Sequence, residues 1–302
     1  MSNNANSVKA ILFALGANFT IFVAKLTAAL ITGSGAMLAE AVHSLADSGN
    51  QGLLLFGIRQ SKRPPSDEHP LGWGKALYFW SFLVAILLFS AGGMFSLYEG
   101  WHKLSHPEAL RAPWVAIGVL VFSILAEVVS FAACVREVNK VRAGRSYWAW
   151  FRQSRNSELL VIFGEDLAAL VGLVLALAAV SIAMITGNPM FDAIGTLSIG
   201  ALLIVIAVLI AVEVKALLIG QGVDPAERRR MVDFLGEQPE VASVLNLLTL
   251  QMGSDVLLSI KAQMNRQADD VALVAAINAV EVRVRAAFPQ VRWCFFEPDV
   301  AD

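Results

Sequence analysis

Residues 167–185 read LAALVGLVLALAAVSIAMI and contain no charged side chain. A helix needs about 20 mostly apolar residues to cross a bilayer, so this stretch predicts a transmembrane helix. Two acids, Glu165 and Asp166, stand directly before it. On both sides, similar apolar runs fill most of residues 10–220, whereas the last 80 or so residues have the polar balance of a soluble domain. The pattern predicts a membrane protein with an extramembrane tail.

The overall composition excludes a single soluble globule. Of the 302 residues, 57% are hydrophobic and 16% are charged, and the mean hydropathy is +0.63. Soluble domains carry about 25% charged residues. The net charge of −2 provides no basic field, so we expect no nucleic acid partner. Cys134 and Cys294 belong to no CxxC pattern, and we expect two ordinary buried thiols.

The apolar runs predict an all-α transmembrane domain over residues 1–220. Its six expected helices cover residues 9–32, 36–59, 76–99, 113–136, 159–186 and 192–217. The second-to-third and fourth-to-fifth connections are rich in Lys and Arg, whereas those on the opposite side carry little charge. By the positive-inside rule, both termini face the cytoplasm. We expect an integral, multi-pass protein of a bacterial inner membrane.

The tail, residues 221–302, predicts a small α+β domain. Asp224-Pro225 is a typical helix start, and this helix is expected to continue to about residue 236. Strands are expected at 241–251, 255–264 and 291–296, with a helix over 269–287 between the last two. The order helix–strand–strand–helix–strand predicts a ferredoxin-like cytoplasmic domain.

Ionisable residues inside the predicted spans indicate the function, because charge in a membrane is costly and usually marks an ion or proton path. Glu40, His43 and Asp47 share one face of the second predicted helix, and Glu165 and Asp166 begin the fifth. Imidazole and carboxylate together suit Zn²⁺, Fe²⁺, Co²⁺ or Mn²⁺. Because adjacent helical residues point about 100° apart, a set with Asp166 and only one of Glu165 or Glu40 is geometrically easier. The alternative is a neutral histidine hydrogen-bonded inside a packed bundle.

Two further ionisable residues lie in predicted spans. Glu127, in the fourth, is expected to relay protons or to pair with a neighbouring helix. Lys25, in the first, is expected to extend its ammonium group to the membrane surface.

Four stretches resemble the cation diffusion facilitator family of metal transporters. They are GSGAMLAEAVHSLADSGNQ (33–51), DEHPLGWGKALYFW (67–80), GEDLAALVG (164–172) and LLIGQGVDP (217–225). The HxxxD formed by His43 and Asp47 is the most specific of these signatures. Asn50-Gln51 and the closing FEPD (296–299) are similar to the branch that holds the mitochondrial zinc exporter. The resemblance implies six spans, a homodimer with paired cytoplasmic tails, and exchange of a divalent metal for protons.

The resemblance also implies a set of site residues. His43, Asp47 and Asp166 match the family's ligands, but the position four residues before Asp166 is Ile162 rather than His or Asp. Glu165 is the first choice for the fourth ligand, and Glu40 the second, with Glu40 and Glu127 as outer partners or proton relays.

A second family site, in the cytoplasmic loop, is reduced here. One histidine of its HPxGHG pattern is replaced by Trp73, leaving Asp67 and His69 as a residual pair. The tail contains no histidine, so we expect it to dimerise without metal.

These features predict an antiporter that exports Zn²⁺ from the cytoplasm against protons by alternating access. The alternatives are an Fe²⁺, Co²⁺ or Mn²⁺ antiporter of the same family and a non-transporting, metal-sensing membrane protein. An enzyme, such as an intramembrane metallohydrolase, is not expected, because no nucleophile–base pair accompanies the ligands. The expected partners are lipid, divalent metal ions, protons and a second copy of the chain.

Overall fold

The computed structural model describes residues 19–301, so the beginning of the first expected span lies outside the described part. The described chain is mostly helical and ends in a small sheet. Its elements are α1 (Phe19–Thr32), α2 (Gly35–Ser61), α3 (Ala76–Ser105), α4 (Pro113–Val141), α5 (Tyr147–Gln153), α6 (Ser157–Thr186), α7 (Met190–Ile219), α8 (Pro225–Gly236), β1 (Val241–Met252), β2 (Asp255–Met264), α9 (Asp270–Ala287) and β3 (Val291–Pro298).

Four of these helices are long and apolar enough to cross a membrane, namely α3, α4, α6 and α7. The described part of α1 is apolar but shorter. Helix α2 has the length of a span, at 27 residues, but it carries the polar residues singled out from the sequence. The structure therefore supports a multi-pass membrane protein by length and composition, with four of the six expected spans meeting both criteria.

Two helices extend beyond their predicted ends. Helix α3 continues to Ser105 and contains a π-helical segment over Leu88–Met94, and α4 continues to Val141. The predicted ends lie too early because they follow the apolar residues, which mark only the part of a helix that suits lipid. The backbone hydrogen bonds of both helices continue beyond it into more polar sequence. In α4 this extension carries an exposed pair in which Lys140 Nζ donates to Glu137 Oε1 over 2.6 Å.

The chain divides into two compact units. The first unit, in its described part, comprises residues 19–57, Trp80–Trp148 and Ser157–Val214, and is entirely helical. Glycines allow close helix contacts within it: a Cβ on Gly195 of α7 would lie 2.2 Å from Ala179 Cβ of α6. Small residues at such crossings are typical of membrane helix packing.

The second unit comprises Ile58–Phe79, Ala149–Asn156 and residues 215–301. The connection between α2 and α3 and the start of α3 pack on the β1–β2 turn, where Gly253 N–H donates to the hydroxyl of Tyr78 in α3 over 2.8 Å. A Cβ on Gly74 would lie 2.1 Å from the Met252 carbonyl oxygen, so this contact requires glycine. Helix α5 is not among the predicted helices, because basic residues dominate this connection, yet its Trp150 and Phe151 are buried.

The sheet has the order β1–β2–β3, with β1 antiparallel and β3 parallel to β2. The predicted helices and strands of the tail are confirmed to within two residues. The cap of α8 is also as predicted: the Asp224 side chain accepts a hydrogen bond from Ala226 N–H over 2.9 Å. Alternate β2 residues, from Val256 to Ala262, are buried in the core between the sheet and helices.

Both cysteines are free and buried, as expected. Burial raises the pKa of the Cys294 thiol in β3 to about 11, so this thiol stays protonated at neutral pH.

Candidate metal site in the helical unit

Helix α2 presents a row of polar side chains to the interior of the helical unit. Glu40, His43 and Asn50 are fully buried, and Asp47 is partly buried. The start of α2 is fixed by Asp192 of α7, whose carboxylate accepts hydrogen bonds from Ser34 Oγ over 2.5 Å and from Gly35 N–H over 2.7 Å. This carboxylate satisfies donors that a helix N-terminus leaves unpaired.

His43 and Asp47 lie one helical turn apart, with Nδ1 of the imidazole 3.4 Å from Oδ1 of the carboxylate. Within residues 19–301, neither ring nitrogen of His43 has a hydrogen-bond partner. Asp47 Oδ1 has none there either. The alternative of a neutral histidine hydrogen-bonded inside the bundle therefore has no such bond among the described residues. Buried polar atoms without partners are rare and costly in native proteins, and they suit a site that receives a cation.

The acids of α6 face α2 and α4. Asn50 Nδ2 donates to Glu165 Oε1 over 2.6 Å, and Ser130 Oγ of α4 lies 3.5 Å from Asp166 Oδ2. The sequence analysis noted Asn50 only as part of a family-branch signature, so its contact with Glu165 was not predicted. A polar residue in an otherwise apolar span was the signal that pointed to it.

Four helices enclose a cavity of about 90 Å³, large enough for an ion with several water-sized ligands. Four carboxylates line it, from Asp47 of α2, Glu127 of α4 and the adjacent Glu165 and Asp166 of α6. The two neighbouring acids thus reach the same cavity, because it is wide enough to span the angle between them. Ile162 lines it as well, at the position where the family pattern has a ligand. The remaining lining residues are Ile21, Lys25, Ser44, Gln51, Ser123, Ala126, Ser130 and Ala169.

Glu40 lies apart from these acids, in an ion pair. Its Oε2 is 3.1 Å from Lys25 Nζ of α1, which also donates to Ser44 Oγ over 2.8 Å. The expectation that Lys25 extends to the membrane surface is wrong, since its side chain is 3% exposed. Helix α2 provides two polar partners for this lysine inside the unit. The sequence of α1 does not show which side chains of α2 lie beside it.

The carboxylates share a cavity, but they are not gathered into a coordination shell. Within residues 19–301, no three His, Cys, Asp or Glu side chains are placed to hold a metal ion. His43 is not among the described residues that line the cavity, although it neighbours Asp47. The cavity thus brings four carboxyl groups and one ammonium group together.

The residual pair in the α2–α3 connection is not assembled into a site either. Asp67 is exposed, whereas the His69 ring stacks on Trp73 with the ring centres 3.9 Å apart. Trp73, which replaces a histidine of the family pattern, thus becomes a packing partner for His69.

Comparison with known proteins identifies the helical part of the chain. Residues 11–219 match the cation efflux transmembrane domain. The chain is 34% identical over 247 residues to the mitochondrial proton-coupled zinc antiporter SLC30A9 of Xenopus laevis, covering 81% of this chain and 44% of that protein. It is 31% identical over 247 residues to metal tolerance protein C4 of Arabidopsis thaliana, covering 80% of this chain and 53% of that protein.

A bacterial protein also matches at lower identity. The cation-efflux pump FieF of Salmonella agona is 25% identical over 276 residues, covering 89% of this chain and 85% of the pump. The chain spans about half the length, or less, of the first two relatives.

The comparison contradicts the expected bacterial inner membrane. The antiporters at 34% identity from Xenopus laevis and Homo sapiens are named as mitochondrial proteins. The charge pattern of the loops distinguishes the two sides of a membrane but carries no information on which membrane it is.

Proposed function

The chain belongs to the cation efflux family, the cation diffusion facilitators, and we propose that it is a proton-coupled antiporter that carries Zn²⁺ by alternating access. The observation that supports this most directly is the cavity between α1, α2, α4 and α6, with its four carboxylates. The family is one of transporters, which agrees with a protein that is not an enzyme. Relatives named as zinc antiporters support zinc as the transported ion.

We propose that Asp47, Glu165 and Asp166 supply oxygen ligands to the transported ion and that His43 supplies nitrogen. His43 has two unpartnered ring nitrogens and lies beside Asp47, so a modest movement of α2 brings it to the ion. Glu165 takes the fourth place in preference to Glu40, because Glu165 lines the cavity and Glu40 is paired with Lys25.

Exchange for protons follows from the chemistry of these ligands. A carboxylate or an imidazole must lose its proton before it binds a metal ion, so metal binding releases protons and proton binding expels metal. Moving a dication against 100 mV costs about 4.6 kcal/mol, of which one counter-moving proton offsets about half. We propose that Glu127, which lines the same cavity, passes protons to it.

We propose that residues 1–220 form the six-span transport domain and residues 221–302 a ferredoxin-like dimerisation domain. The tail has three strands, fewer than a ferredoxin-like sheet. In such a sheet the first strand lies between two strands that run parallel to each other, so its loss brings them together, which matches the direct pairing of β2 with β3. The proposed assembly is a homodimer.

A second candidate cargo is Fe²⁺, Co²⁺ or Mn²⁺. The acids that line the cavity offer only oxygen, with His43 outside the lining, and carboxylate oxygen suits harder ions such as Mn²⁺.

The test uses the full chain in proteoliposomes with an imposed pH gradient and a metal-sensitive dye inside. Wild-type protein is expected to move Zn²⁺, while His43→Ala and Asp47→Ala lose most of the transport because they remove ligands. His69→Ala and Asp67→Ala are matched controls with the same residue types outside the cavity, and they should transport normally. Unchanged transport in both His43→Ala and Asp47→Ala would overturn the proposed site. Transport of Mn²⁺ but not of Zn²⁺ by the wild type would overturn Zn²⁺ as the transported ion.

A further inference from the structure

Lys25 is a buried cation at the wall of the acidic cavity. It is 3% exposed, it lies on α1, and it lines the cavity together with Asp47, Glu165 and Asp166. Its Nζ is held at 3.1 Å from Glu40 Oε2 and at 2.8 Å from Ser44 Oγ.

Burial of such an ion pair contributes little to stability. Desolvation of two charges costs about as much as their attraction returns, and apolar replacements of similar volume are often neutral or stabilising. Lysines are also rare inside membrane spans, and those that occur usually belong to an ion or proton pathway. Its position beside four carboxylates points to an electrostatic role.

The pair is oriented with its positive end toward the acids. Lys25 belongs to the cavity lining and Glu40, among the described residues, does not. Glu40 instead lies against Gly172 of α6, where an added Cβ would come within 2.6 Å of its Oε1. The missing side chain at Gly172 leaves room for the carboxylate to lie behind the lysine rather than beside the other acids.

We propose that Lys25 is a fixed countercharge that limits the affinity of the cavity for its metal ion, and that Glu40 sets the strength of this effect. The inference rests on the proposed function, since it concerns the same cavity. The ammonium group repels an arriving dication and balances carboxylates after the ion has left. Because dissociation rate rises as affinity falls, a weaker site releases its ion faster. Lys25 thereby lowers the affinity of the cavity for the ion and raises the transport rate.

Two variants act on this charge in opposite directions. Lys25→Met keeps the length of the side chain and removes the charge, so the cavity should bind Zn²⁺ at least about tenfold more tightly, since a dication interacts strongly with a nearby charge at low effective dielectric constant. Glu40→Gln leaves the ammonium uncompensated, so it should weaken binding. When Lys25→Met and Glu40→Gln are combined, Glu40→Gln should have no further effect, because the ammonium group that Glu40 compensates is absent.

A solvent-exposed lysine–glutamate pair in the same unit provides the control. Lys140→Met and Glu137→Gln alter the same residue types at an exposed pair, 2.6 Å apart, on α4. Water and salt screen that pair, so both variants should bind Zn²⁺ as the wild type does.

The experiment measures Zn²⁺ affinity of the purified full chain by competition with a zinc-binding dye, together with the transport rate at saturating Zn²⁺. Tighter binding with slower transport in Lys25→Met supports the proposal, because general damage to the fold would weaken binding. Weaker or unchanged binding in this variant overturns it. If Lys25→Met does not fold, the sign of the Glu40→Gln effect decides, and unchanged or tighter binding there overturns the proposal.

The proposed function fails in a distinguishable way. Wild-type protein that binds no Zn²⁺, or binding that Asp47→Ala leaves intact, would overturn the metal site itself and the inference with it. Binding that depends on Asp47 but not on Lys25 would overturn the inference alone.

Discussion

Ile162 places an aliphatic side chain in the cavity one helical turn before Asp166. Its position is the one that a ligand occupies in the family pattern, and in the proposed site Glu165, which accepts a hydrogen bond from Asn50, takes the place of that ligand. The proposed site is therefore richer in oxygen than an arrangement with two histidines. This difference is expected to weaken the preference for Zn²⁺ over harder ions.

Ile162→His should restore nitrogen at this position. We expect Zn²⁺ to bind about tenfold more tightly, which corresponds to about 1.4 kcal/mol, with little change for Mn²⁺. Dye competition with both metals measures the effect. Ile162→Leu, which conserves volume, is the control and should bind as the wild type does. Equal affinities in the histidine and leucine variants would mean that residue 162 does not face the ion.

At the scale of elements, α2 depends on α7 for its start. Ser34, directly before α2, caps the helix by accepting a hydrogen bond from Met37 N–H. The negative charge at this cap comes from Asp192, which lies 158 positions further along the chain. Buried between two helices, this carboxylate joins α2 to α7 at the end of the unit where both helices begin.

Asp192→Ala should lower the free energy of unfolding by about 1.5–3 kcal/mol, because hydrogen bonds to a charged group are lost inside the unit. Thermal unfolding of the detergent-solubilised chain measures the loss. Ser198→Ala, at a half-buried position of α7 where the hydroxyl donates only to the Ile194 carbonyl of its own helix, is the control and should stay within about 0.5 kcal/mol of the wild type. If Ser34 shares the contact, Asp192→Ala costs less in a Ser34→Ala background; additive losses would contradict the proposed cap.

The crossing of α6 and α7 depends on the absence of a side chain at Gly195. Gly195→Ala puts a methyl group 2.2 Å from Ala179 Cβ, so the helices must separate, at a cost of about 1–3 kcal/mol. Gly118→Ala is the matched control, because nothing lies within 4 Å of its added Cβ. Alanine favours a helix by up to about 1 kcal/mol over glycine, so this control should be neutral or stabilising. Similar unfolding temperatures in the two variants would contradict the close crossing.

At the scale of the whole molecule, the chain forms a helical unit and a second unit built around the sheet. The second unit includes the connection between α2 and α3 as well as the tail. The tail contributes no histidine. A zinc site that controls its assembly is therefore not expected, and apolar packing remains as the basis of the proposed dimer.

Removal of metal is expected to leave the proposed dimer intact. The mass of the detergent-solubilised chain, measured by size exclusion with light scattering, should be that of a dimer both with excess EDTA and with added Zn²⁺. Dye competition on the same sample, in which EDTA should abolish Zn²⁺ binding, shows that chelation is effective. Dissociation in EDTA would indicate a structural metal, and a monomer in both conditions would contradict the dimer.

Much of the fold was predictable because its causes are local. In lipid the backbone must satisfy its own hydrogen bonds, so long apolar runs become helices. In the tail, the alternation of Val256, Leu258, Ile260 and Ala262 predicts a strand with one buried face, and β2 has the predicted bounds. The helix α5 and the extension of α4 were missed, because hydropathy records lipid exposure rather than hydrogen bonding.

Composition and periodicity predict the membrane class, the positions of most helices and strands, and the acids and histidine inside the predicted spans. Only the packing of the helices shows that Glu165 and Asp166 share one cavity with Asp47 and Glu127, and that Glu40 pairs with Lys25 instead. The physical reason is that helical periodicity gives the face of each residue on its own helix but not the helix that this face meets. Contacts such as Lys25–Glu40 and Asn50–Glu165 exist only after the helices have packed.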